Sequence, residues 1–80
     1  MSNGVYMENK RENFKRISEN RVNKILTLLS QMSNLSNTSF YEYTEEEVIK
    51  IFDAIDAESS KTRKILVDTI NKKNKKKFEL

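Results

Sequence analysis

Beyond Gly4 the chain runs to its end without a glycine or a proline. Those two residues are the usual punctuation of secondary structure, so the divisions of this sequence have to come from the spacing of its apolar residues and from side-chain caps. Phe14, Ile17, Val22, Ile25, Leu28, Leu29, Met32 and Leu35 recur at steps of three, four or their sums. That spacing predicts a helix from about 9 to 35 with one broad apolar face, which Leu26 widens. Val48, Ile51, Phe52, Ile55, Thr62, Ile65, Leu66 and Ile70 form a second such face, on a helix from 45 to about 72 or beyond.

The start of the second helix is the sharpest local signal. Thr44 followed by Glu47 is the reciprocal capping box, in which a hydroxyl satisfies an early amide and the glutamate reaches back to the cap amide. Glu45 and Glu46 add negative charge beside the positive end of the helix dipole, and Tyr43 with Val48 stands at the spacing of a hydrophobic staple. The middle of this helix is weaker. Ala57, Glu58, Ser59 and Ser60 lower the apolar density, so the expectation is one continuous helix, with a break that starts a short third helix at 61 as the alternative.

Between the helices, residues 33–43 are dense in Ser and Asn and end in Phe40, Tyr41 and Tyr43. The segment reads as a turn over the end of the first helix, with three rings able to make a small packed cap. Two helices joined this way predict an all-α fold, an antiparallel two-helix hairpin. At 80 residues, without disulfides, a domain buries only roughly 60% of its unfolded surface. A lone hairpin would also leave one side of each helix partly uncovered, so dimerisation into a helical bundle is expected. Residues 1–8 are assigned to a flexible arm, 9–72 to the hairpin domain and 73–80 to a basic tail.

The absence of cysteine and histidine removes zinc-finger, thiol and Cys/His chemistry. The acids lack the spacing and turn glycine of a calcium loop, and two helices offer little volume for a cleft that would separate the pKa values of paired carboxylates. The chain is therefore expected to be non-enzymatic, with no catalytic, cofactor or metal residues. No apolar run reaches the length of a membrane span, and no signal-peptide pattern opens the sequence, so a cytoplasmic location without membrane attachment is expected.

The net charge of +3 conceals a separation within the second helix. Residues 45–60 carry Glu45, Glu46, Glu47, Asp53, Asp56 and Glu58 against Lys50 alone, whereas 61–80 carry eight bases against Asp68 and Glu79. The run Lys72, Lys73, Lys75, Lys76 and Lys77, together with Lys10, Arg11, Lys15 and Arg16, supplies candidate contacts to a phosphate backbone. Such contacts would be salt-sensitive and blind to sequence. Phe40, Tyr41 and Tyr43 are candidate partner contacts if exposed. Arg21 interrupts the seven-residue row from Phe14 to Leu28. Its stem can pack while the guanidinium reaches water or a carboxylate, or it can anchor a partner's acid or phosphate.

Residues 14–25, FKRISENRVNKI, with Leu35-Ser36-Asn37-Thr38-Ser39 and Tyr41-Glu42-Tyr43-Thr44-Glu45-Glu46, carry a resemblance. Over roughly 12–55 the chain resembles a group of small uncharacterised helical proteins of low-GC Gram-positive bacteria and their mobile genetic elements. That group brings no assigned activity. The resemblance implies a regulatory or accessory role in such an element, and the expected function is a helical interaction protein that self-associates as a homodimer and engages a further protein. The alternative is a nucleic-acid-associated accessory protein that binds through its basic ends.

Overall fold

The computed structural model describes residues 9–74. In order they form α1 (Lys10–Met32), a 3-10 helix (Ser33–Ser36) and α2 (Glu45–Asn74), and no strand occurs among the described residues. The chain divides into two units, Met1–Glu42 and Tyr43–Leu80, each described by itself below. The expected arm at 1–8 and most of the basic tail, including Lys75, Lys76 and Lys77, lie outside the described residues.

In the first unit, α1 begins at a cap that the sequence reading passed over. Asn9 is extended, at φ −70° and ψ 170°, and its Oδ1 accepts the Glu12 amide at 2.8 Å. The Asn9 carbonyl accepts the Asn13 amide at 3.0 Å, and so starts the helical ladder. Glu12 places an acid in the first turn, where the helix dipole favours it. At the other end the Ser33 hydroxyl donates to the Ser30 carbonyl at 2.6 Å, beside the Ser33 amide, which donates to the same oxygen. The chain then tightens into the 3-10 helix before it leaves the axis at Asn37, which is extended.

Asn37 organises the turn. Its side-chain Oδ1 accepts the Ser39 amide at 3.0 Å, and its carbonyl accepts the amides of Phe40 at 3.1 Å and Tyr41 at 3.0 Å. An Asx turn of this kind needs no ring packing to hold it. Phe40 is accordingly 79% exposed and Tyr41 48%, so the turn is shaped by backbone hydrogen bonds, and the expected aromatic cap is not what holds it.

In the second unit the predicted capping box is present. The Glu47 amide donates to Thr44 Oγ1 at 3.1 Å and the Thr44 amide donates to Glu47 Oε1 at 2.9 Å. From there α2 runs for 30 residues, about 45 Å at the rise of an α-helix. It passes through Ala57, Glu58, Ser59 and Ser60 unbroken, and no third α-helix follows among the described residues. The reason is local. Low apolar density weakens the case for burial, but alanine and glutamate favour helical backbone and serine tolerates it. Further along, Lys64 Nζ meets Asp68 Oδ2 at 2.9 Å, one turn on, and the Thr69 hydroxyl donates back to the Ile65 carbonyl at 2.6 Å. Three glutamates in the first turn and Lys72 and Lys73 in the last complete a helix charged in the sense of its dipole.

Candidate interaction surfaces

None of the described residues is buried. The half-buried ones are Ile17, Ser18, Leu29 and Met32 on α1, and Val48 and Ile55 on α2. On α2 these two stand seven residues apart, on one row of the helix, and mark the centre of its apolar face. Beside them Ile51 and Phe52 are each 41% exposed, while Ile65, Leu66 and Ile70 toward the C-terminal end are more than half exposed. The face found in the sequence is thus present and open. Sequence spacing missed two members of its edge, Ile49 and Val67, both exposed. They are eighteen residues apart, five helical turns, so they share one longitudinal line. Each stands three residues before a member of the face, Ile49 before Phe52 and Val67 before Ile70.

On α1 the apolar residues are exposed in the same manner, with Phe14, Ile25 and Leu28 each more than half open. Arg21 is exposed as well. It covers no buried core, and its exposure weakens both accounts of why it interrupts the row, the packed stem and the partner anchor alike. Arg16 Nη2 donates to Asn13 Oδ1 at 3.0 Å along its own helix. Open surface depressions lie along α1, one at Ser18, Glu19, Val22 and Asn23 and another that includes Asn20, Lys24 and Gln31. Their walls are the side chains of a single helix, and such a surface encloses no small molecule.

Of the candidate partner contacts, Phe40 and Tyr41 sit next to each other on the Asn37 turn of the first unit, and Tyr43, 45% exposed, opens the second unit just before Thr44. Of the candidate phosphate contacts, Lys10, Arg11, Lys15 and Arg16 occupy the first two turns of α1, and Lys72 and Lys73 the last turn of α2; all six are exposed. Among the described residues no group of three acids could hold a metal ion, and no helix is long and apolar enough to cross a membrane. Searches for a matching protein family, a characterised relative or a solved structure found none.

Proposed function

We propose that this chain is a non-enzymatic helical interaction protein, and that its apolar helix faces are association surfaces, engaged first by a second copy of the chain in a homodimeric bundle. The observation that carries this reading is that both helices present a row of large aliphatic and aromatic side chains and none of these is buried. Each such side chain gains about 1.5–3 kcal/mol when moved from water to a covered surface. A chain of this size has few other sources of stability. We propose further that it serves a regulatory or accessory role in a bacterial mobile element, in the cytoplasm, a reading that rests on the sequence resemblance over roughly 12–55 alone.

The test is the state of the full-length chain in solution. Sedimentation velocity should show one species heavier than a single chain, with its helix content intact. A folded species of single-chain mass at all concentrations would contradict self-association.

A second reading is supported by the exposed bases Lys10, Arg11, Lys15, Lys72 and Lys73. These can neutralise phosphates and release counterions, and binding to duplex DNA would then fall steeply as salt rises. Absence of binding at low salt would remove this reading.

A further inference from the structure

Deepening the homodimer reading, on which it rests, we infer that the second copy docks on α2 of the first through its own α2, antiparallel, with the two helices crossing at Ser59.

Two independent patterns along α2 lead to this register. The first is the apolar face. Counted outward from Ser59, Val48 and Ile70 stand at equal distances on either side, as do Phe52 and Leu66, and Ile55 and Thr62 match within one residue. All lie on the face whose centre is marked by the half-buried Val48 and Ile55. When two such helices run antiparallel about Ser59, large side chains meet large ones at both ends. The small Ser59 then meets Ser59 of the second copy where the axes approach most closely, and the Phe52 ring lies level with Leu66 of the other chain.

The second pattern is charge. In an antiparallel helix pair, each flank of one apolar face runs beside the same flank of the other. On one flank this register sets Asp56 level with Arg63 of the second copy. On the other it sets Glu47 level with Lys72. Both pairs join opposite charges, each occurs twice by symmetry, and all four side chains are exposed. A parallel pair would instead bring Glu45, Glu46 and Glu47 beside the same acids of the second copy, and Lys72 beside Lys73 of the other chain. Like charges held together at a helix interface are unfavourable, so the charge sequence selects orientation as well as register. The acidic start and basic finish of α2 therefore do more than match its dipole.

Because the chain has no cysteine of its own, single cysteines introduced into the full-length protein report the register directly. Under mild oxidation Ser59→Cys should link to itself, since only a residue on the two-fold axis brings its own copies within disulfide reach. Asp56→Cys and Arg63→Cys, mixed after separate purification, should link to each other in preference to themselves. Charge reversal supplies a second measurement without cysteine. Asp56→Lys or Arg63→Glu should each weaken association about tenfold at low salt, and the two together should restore it. A chain that is dimeric by sedimentation, but whose Ser59→Cys variant does not link, or whose Asp56→Cys variant links only to itself, overturns the antiparallel register and leaves self-association standing. A folded monomer, with α2 covered by another part of the same chain, overturns both.

Discussion

Thr44 and Glu47 each hold the other's backbone amide, at 3.1 Å to Thr44 Oγ1 and 2.9 Å to Glu47 Oε1. This pair fixes where α2 begins, and with it the position of every residue on the face that follows. A cap one residue earlier or later would rotate the start of the helix by about 100° relative to the incoming chain. Thr44→Ala removes the hydroxyl acceptor and is expected to cost about 1 kcal/mol of stability. Thermal unfolding followed by circular dichroism measures it, and an unchanged midpoint would show that the box contributes nothing.

The turn after α1 depends on one side-chain oxygen for one of its bonds. Asn37→Ala removes the acceptor for the Ser39 amide but leaves the carbonyl that receives Phe40 and Tyr41. Hydrogen exchange should therefore speed up at Ser39 by several-fold while Phe40 and Tyr41 keep their protection. Equal acceleration at all three would mean that the side chain holds the whole turn.

What could be read in advance followed from how local each cause is. The Thr44 to Glu47 box and the continuity of α2 through Ser59 and Ser60 depend on neighbours within one turn, and the sequence displays those neighbours directly. The Asn9 cap and the Asn37 turn are equally local, but asparagine is frequent around them and nothing in the residue type singles out the one that turns inward. The expected aromatic cap failed for a different reason. Whether Phe40 is covered depends on what stands opposite it, and the Asn37 hydrogen bonds already shape the turn, so the ring is free to face water. Ile49 and Val67, three residues before Phe52 and Ile70, were legible by the same short-range spacing and widen the face at its edge.

The Lys64 to Asp68 ion pair is short, at 2.9 Å, yet both side chains are more than half exposed. A lysine placed before its acid is also the less favourable order along a helix. Asp68→Asn should change unfolding stability by less than about 0.5 kcal/mol. A loss above about 1 kcal/mol in chemical denaturation would assign this pair a role that its exposure argues against.

Ile55 is half-buried at the centre of the α2 face. Ile55→Asp places a charge where the second copy would cover it, and the desolvation of that carboxylate opposes association. The dissociation constant of the dimer should rise at least tenfold, whereas Lys50→Glu, on the opposite side of the same helix, should leave it within about threefold. Equal effects from the two variants, measured by fluorescence-detected sedimentation, would show that the apolar face is not the contact.

The central claim is that the uncovered apolar faces are covered by a second copy of the chain. Sedimentation equilibrium of the full-length protein over a wide concentration range tests it most directly. The account predicts a mass of two chains that falls toward one only on dilution, with helix content retained at the dimeric end. A mass of one chain at every concentration, with both helices formed, would contradict it.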